Sequence, residues 1–162
     1  MTRRYDGVMP TRFESAVGGP PRLVGQVHVE ITIKNGVDVV LAAEGLRPDG
    51  DVRSITLDRV LVDTGATHLC LPARMIDDLG LPARREIVLV TAGGEYAARL
   101  VGPAELEIAG RATTVDIIGL PVGEQPLLGV VPMETLGLEP DLRQGRLRLL
   151  PETGPQSHFT AC

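Results

Sequence analysis

An aspartate follows directly on an apolar run in the segment RVLVDTGATHLCLP, residues 59–72. The Val-Leu-Val run at 60–62 is typical of a strand, and it leads straight into Asp63. A carboxylate with such neighbours is predicted to be half buried. Because burial of an unpaired carboxylate is costly, Asp63 is either well satisfied by donors in a turn or kept for chemistry.

Paired carboxylates are the chemistry that this segment suggests. Two facing carboxylates can share one proton, so that one acts as a base on water while the other protonates the attacked carbonyl. Like charges about 4 Å apart repel by roughly 4 kcal/mol at an effective dielectric of about 20, so such a pair holds one proton over a wide pH range. The Thr64 hydroxyl could brace the turn, and Gly65 lets a backbone N–H approach the carboxylate.

The composition favours one all-β domain. The chain has 162 residues, and its 19 glycines and 13 prolines among many Val, Leu and Ile residues indicate short strands joined by tight turns. A net charge of -5 and four aromatic rings disfavour nucleic-acid binding. No apolar stretch approaches the roughly 18 residues of a membrane span, which predicts no membrane partner and a cytoplasmic location.

The chain divides into three predicted parts: a flexible arm at 1–22, a domain at 23–151 and a tail at 152–162. A strand alternates from Val27 to Ile33, and Asn35-Gly36 predicts a hairpin turn with a return strand at 37–43. A further strand leads to Asp63. A short helix is expected after Pro72, with a stop at Gly80.

A second hairpin is predicted downstream of this helix. Its strands at 86–90 and 95–101 flank a tip, residues 91–94, that lacks bulky side chains. Tyr96 lies beside the tip, where closing over a substrate and packing the hairpin are both open interpretations. Leu127-Leu128-Gly129 and a helical turn ending Leu136-Gly137-Leu138 then echo the earlier strand, glycine turn and helix, but without an aspartate.

The segment 61–67, Leu-Val-Asp-Thr-Gly-Ala-Thr, resembles the motif of the retroviral-type aspartic proteases, the retropepsins, in their bacterial single-domain form. The resemblance covers roughly residues 23–151. The active-site strand, the Gly93-Gly94 hairpin and Leu127-Leu128-Gly129 follow in the order of that family.

The resemblance implies an all-β acid-protease fold, a closed barrel with a flap hairpin and one or two short helices. It also implies peptide-bond hydrolysis in a homodimer, since the chain has one Asp-Thr-Gly, with a peptide or protein as substrate and neither metal nor cofactor. The implied catalytic residues are Asp63, Thr64 and Gly65. The implied substrate-binding residues are Ala66, Thr67, Ala92, Gly93, Gly94, Tyr96, Leu128 and Gly129.

Two features depart from the family pattern or leave alternatives open. Gly129 is followed by Val-Val-Pro, whereas retroviral members continue with an arginine and then Asp or Asn. The dimer interface could use the loops around the site or the strand 146–150.

A non-catalytic peptide-binding or assembly module on the same fold is the main alternative function. A third possibility is a protein whose proteolysis is limited to its own chain. His68 and Cys70 share a strand face, but with no further Cys or His cluster a metal site is disfavoured.

Overall fold

The computed structural model describes residues 2–5, 25–91, 93–121 and 123–151. The strands are β1 Thr2–Tyr5, β2 His28–Asn35, β3 Ser54–Val62, β4 Leu69–Pro72, β5 Ala83–Thr91, β6 Gly94–Ile108, β7 Arg111–Leu120, β8 Leu127–Leu128, β9 Leu138–Asp141 and β10 Arg146–Leu149. The helices are α1 Gly36–Ala43, α2 Ala73–Leu79 and α3 Val130–Thr135, with a 3-10 turn at Asp49–Asp51.

Six strands close into a ring. Hydrogen-bonded neighbours follow the order β3, β2, β6, β7, β4 and β8, and β8 pairs again with β3. Outside the ring, β5 pairs with β6, while β9 and β10 form a separate hairpin sheet. The all-β prediction is therefore confirmed as a closed ring of mixed pairing, with three short helices where one or two were expected.

The main core lies inside this ring. Ile76 and Leu79 of α2 are buried in this core against side chains of the ring strands, so the helix packs on the ring through its apolar face. Gly80 ends the helix in the left-handed conformation, with φ 59°, as the predicted stop requires. The other fully buried side chains of this core include Ile31, Ile33, Ile55, Leu71, Leu106 and Ile117.

The structure corrects the prediction at Asn35-Gly36, where a helix begins in place of a hairpin turn. The Asn35 side chain accepts hydrogen bonds from Val37 N at 2.9 Å and Asp38 N at 3.1 Å, which caps the N-terminus of α1. Its amide group donates to the carbonyls of Leu79 and Gly80, each at 3.0 Å. Asparagine is common both in tight turns and at helix N-termini. Here its hydrogen bonds to the distant Leu79 and Gly80 carbonyls favour the helix cap over the turn.

Residues 2–5, expected as part of a free arm, form β1, which pairs in parallel with β3 so that Tyr5 lies opposite Leu57. The remaining residues of the predicted arm, 1 and 6–22, lie outside the described residues, as do residues 23 and 24 and the predicted tail at 152–162. In the described part of the chain, no helix has the length and apolar character needed to cross a bilayer.

The predicted internal echo has a structural counterpart at the ends of two helices. Gly80 after α2 and Gly137 after α3 both have positive φ, at 59° and 61°. Asn35 donates to the last carbonyls of α2, and Arg111 donates likewise to Leu136 O at 2.7 Å and Gly137 O at 3.0 Å. The two halves therefore end their helices in the same way, although the donors differ.

Candidate active site

Asp63 lies at the end of β3, where β8 runs parallel to it. Val62 pairs with Leu128, and the Asp63 N–H donates to the Leu128 carbonyl at 3.0 Å. The carboxylate is half buried, and its Oδ1 accepts a hydrogen bond from Gly65 N at 2.8 Å. The backbone N–H of Ala66 donates to Asp63 O at 3.1 Å, which closes the turn. A backbone N–H of the turn therefore fixes Oδ1, and no hydrogen bond from a described residue engages Oδ2, the oxygen that the proposed chemistry would use.

Gly129 fixes the other side of this loop. A Cβ at Gly129 would lie 2.5 Å from His68 O and 2.6 Å from Ala66 O, so only glycine allows this approach. Its N–H donates to His68 O at 3.1 Å, and Val130 N donates to Ala66 O at 2.9 Å. The loop of residues 63–68, here named the Asp63 loop, is thus clamped by successive N–H groups at the start of α3.

A second apolar cluster lies beside the Asp63 loop and beneath the β5–β6 hairpin. Its buried members are Cys70, Ala98, Leu100 and Ile118, and the half-buried side chains packed against them are Ile87, Leu89, Leu120 and Leu127. Leu69 and Leu71 belong to the main core, so β4 presents Cys70 to the opposite side. The sheet and the hairpin therefore form a second apolar cluster in addition to the main core, and only its half-buried members retain exposed apolar surface.

The Cys70 thiol belongs to this second cluster and lies within electrostatic range of Asp63. Burial, and secondarily the negative charge of Asp63, raise the pKa of Cys70 to about 11. Its Sγ donates a hydrogen bond to His68 O at 3.6 Å. Because a thiol of this kind stays protonated near neutral pH, Cys70 acts as an apolar side chain and not as a nucleophile.

The structure brings some of the predicted site residues together. Asp63, Thr64, Gly65, Ala66 and Thr67 form one loop, in which the threonines and Gly65 are exposed and Ala66 is half buried.

Leu128 is placed differently from a groove residue. Its side chain is fully buried in the main core, while its carbonyl holds Asp63, and Gly129 is buried as well. Both residues position the loop, and a direct contact of Leu128 with a substrate stays a prediction that this burial disfavours.

The predicted flap corresponds to the tip of the β5–β6 hairpin. Thr91 pairs with Gly94, and Gly93 and Gly94 are exposed, whereas Ala92 lies outside the described residues. Tyr96 pairs with Leu89 and is 40% exposed. The hairpin and its glycine tip are confirmed, and its action as a flap stays a prediction.

Several residues of this region were not predicted as site residues. Leu127 and Ile118 belong to the second cluster, and His68 lies in the Asp63 loop, where its Nδ1 is 2.9 Å from Thr67 Oγ1. In the sequence, the spacing of two residues between His68 and Cys70 indicated that both side chains could lie on one face of a strand. The pairing of β4 with β7 and β8, which completes the cluster, depends on contacts distant in sequence.

Comparison with known proteins gives a family match that includes this site. Residues 57–135 match the family described as "gag-polyprotein putative aspartyl protease". The matched segment contains the Asp63 loop, the β5–β6 hairpin and β8. No curated protein matches the chain significantly.

Proposed function

This chain belongs to the retropepsin-like family of aspartic proteases, and we propose that it is an aspartic endopeptidase that acts as a homodimer. The observation that carries the proposal is the Asp63 turn, in which Gly65 N donates to Oδ1 at 2.8 Å and Leu128 O fixes the backbone. The chain supplies one such turn. A pair of carboxylates therefore requires Asp63 from a second copy.

The reaction that suits such a pair is hydrolysis by an activated water. One Asp63 carboxylate removes a proton from water as the oxygen attacks the peptide carbonyl, and the protonated Asp63 of the second copy donates its proton to the carbonyl oxygen. The resulting diol collapses as one of its hydroxyls returns a proton to one Asp63 carboxylate, the carbon–nitrogen bond breaks and the departing nitrogen takes a proton from the other Asp63. Protons balance over the cycle, since the pair ends with the single proton that it held at the start.

The surface around Asp63 supports an extended peptide as the substrate. The half-buried side chains of the second apolar cluster can contact apolar side chains of a peptide, and the exposed Gly93 and Gly94 allow the hairpin backbone to approach it. An extended chain between hairpin and Asp63 loop can form main-chain hydrogen bonds as an added strand does. In this proposal the β5–β6 hairpin acts as the flap that covers the substrate.

Cleavage of a mixed peptide library by the wild type and by Asp63→Asn tests the proposal. We expect the wild type at high concentration to cut internal peptide bonds between about pH 3 and about pH 8, with pepstatin blocking the cuts. Asp63→Asn should lose activity by at least about 10⁴-fold, since the variant carries no carboxylate at the dyad. Mass spectrometry of the products identifies the bonds that are cut.

Asp58→Asn is the matched control, because Asp58 is an exposed carboxylate on the same strand. Its activity should equal that of the wild type. If a confirmed dimer cuts no peptide at any pH, the proposal fails, and a peptide-binding or assembly module on this fold becomes the better account.

A further inference from the structure

We propose that His68 is a specificity-determining residue that selects a carboxylate side chain flanking the peptide bond that is cut. The inference rests on the proposed endopeptidase function and adds to it a class of substrate. It concerns the one histidine of the Asp63 loop, whose position, orientation and hydrogen bonding each support the assignment.

The backbone of His68 is held in a fixed place close to Asp63. Its carbonyl accepts hydrogen bonds from Gly129 N at 3.1 Å and from Cys70 Sγ at 3.6 Å. The preceding carbonyl, Thr67 O, accepts from Val131 N at 3.1 Å. His68 is therefore anchored to the start of α3, as the rest of the Asp63 loop is, and its side chain projects from a rigid base.

His68 is the last residue of the Asp63 loop and comes directly before β4. Two residues on, Cys70 belongs to the second apolar cluster and experiences the charge of Asp63. His68 therefore lies along the chain between the candidate catalytic carboxylate and this cluster. In the proposal its half-buried ring faces the bound peptide at this place.

The imidazole ring has one nitrogen held and one available. Nδ1 lies 2.9 Å from Thr67 Oγ1, which orients the ring. Within the described ranges of the chain no hydrogen bond or ion pair engages Nε2, and the side chain is only half buried. With the Thr67 hydroxyl donating to Nδ1, the ring presents an Nε2–H donor, and an imidazolium presents the same donor with a positive charge.

A carboxylate is the substrate group that this donor fits best. Charge-assisted hydrogen bonds are roughly twice as strong as neutral ones, and an amide offers a weaker acceptor of the same shape. The described acidic side chains form no ion pair with His68, so a carboxylate of the bound peptide can take this place. A glutamate or aspartate of the bound peptide, next to the apolar side chain in the second cluster, completes the arrangement.

Matched peptides test the inference. Starting from a site cut in the mixed library, each residue flanking the bond is set in turn to Glu or Gln, and kcat/KM is measured for every pair. We expect one flanking position at which wild type prefers Glu by about tenfold, which a charge-assisted hydrogen bond supplies. In His68→Gln this preference should fall to within about twofold while the Gln peptide is still cut.

Two variants make the test specific. His28→Gln changes a histidine outside the Asp63 loop, on β2, and should keep the wild-type preference for Glu. Thr67→Val removes the hydroxyl that orients the ring and should reduce the preference without abolishing cleavage. A structural role for His68 alone would lower activity on both peptides of a pair equally.

Two other outcomes overturn the inference in distinguishable ways. Wild type that cuts library peptides with no preference for Glu, or His68→Gln that keeps the preference, contradicts the role of His68 and leaves the endopeptidase intact. Wild type that cuts no peptide contradicts the proposed function and, with it, this inference.

Discussion

At the scale of single residues, the geometry of the Asp63 carboxylate depends on backbone atoms of its neighbours. Leu128 contributes a carbonyl, Gly65 an N–H, and Gly129 the absence of a Cβ. These contributions explain why the Asp-Thr-Gly triplet by itself is a weak signal. Its chemistry requires a second segment, far away in sequence, that approaches the triplet closely.

Gly129→Ala tests this dependence. The added Cβ would meet three backbone atoms, His68 O at 2.5 Å and Ala66 O and Thr67 C at 2.6 Å, none of which can rotate away. We expect a loss of roughly 1–3 kcal/mol in the free energy of unfolding, with loss of peptide cleavage as the loop shifts. Urea unfolding and the library assay measure the two effects.

Gly50→Ala is its control, because a Cβ at Gly50 meets no atom within 4 Å. It should leave both the free energy of unfolding and the cleavage rate close to those of the wild type. Equal behaviour of the two alanine variants would contradict the role assigned to Gly129.

At the scale of elements, α1 is attached to the sheet through a buried carboxylate. Asp38 is 1% exposed, and its oxygens accept hydrogen bonds from Arg53 Nε at 2.7 Å and Nη2 at 2.8 Å. Arg47 Nη1 lies 2.7 Å from Asp38 Oδ1. The side-chain hydrogen bonds from Arg53 are the main cause that holds the pKa of Asp38 below its ordinary value. The helix thus buries its aspartate while Val40 is exposed.

Asp38→Asn should destabilise the protein by roughly 1–3 kcal/mol near neutral pH, because the arginines lose a charged acceptor. Since the pKa of Asp38 is lowered on folding, its stabilisation is full above its ordinary value of 3.8 and is lost as the pH falls through the lowered pKa. Urea unfolding should therefore show a difference in the free energy of unfolding between variant and wild type, and this difference should become smaller in acid.

Asp49→Asn, at an exposed carboxylate, is the control and should show no such difference in the free energy of unfolding. A difference that stays constant with pH would contradict the ion pair.

The same element shows where sequence-based prediction succeeds and where it fails. The strand before Asp63, the helix ended by Gly80 and the glycine-tipped hairpin follow from periodicity and local turn chemistry, and the structure confirms them. The helix at Gly36 was missed because Asn35 satisfies a turn and a helix cap equally well. What selects the cap is a contact with Leu79 and Gly80, more than 40 residues away.

The candidate site divides in the same way. Residues 63–67 of the Asp63 loop were predicted from the motif, since they are contiguous in sequence, whereas His68 was not. The second apolar cluster was not, because it combines β4, β5, β6, β7 and β8, and local patterns do not specify which strands pair. Leu128 was assigned to the groove from the family resemblance, which does not reveal which way its side chain points, and the structure buries that side chain in the main core.

At the scale of the whole molecule, the ring of strands supplies half of the proposed machinery. One chain presents one Asp63 turn, together with the β5–β6 hairpin and the second apolar cluster beside it. The second copy of the strand, turn and helix unit within the chain has Gly129 but no aspartate, so it braces the first and cannot replace it. Activity is therefore expected to belong to a pair of chains.

Mixing active and inactive chains is the measurement that tests this claim most directly. Wild type at a fixed concentration is combined in urea with increasing Asp63→Asn, refolded, and assayed on one library peptide. Because random pairing at equal amounts leaves about half of the wild-type chains with a wild-type partner, activity should fall to about half. Asp58→Asn in the same mixture should instead raise activity in proportion to the protein added. Wild-type activity that Asp63→Asn does not diminish, in samples where mixed dimers are confirmed, would contradict a dyad built from two chains.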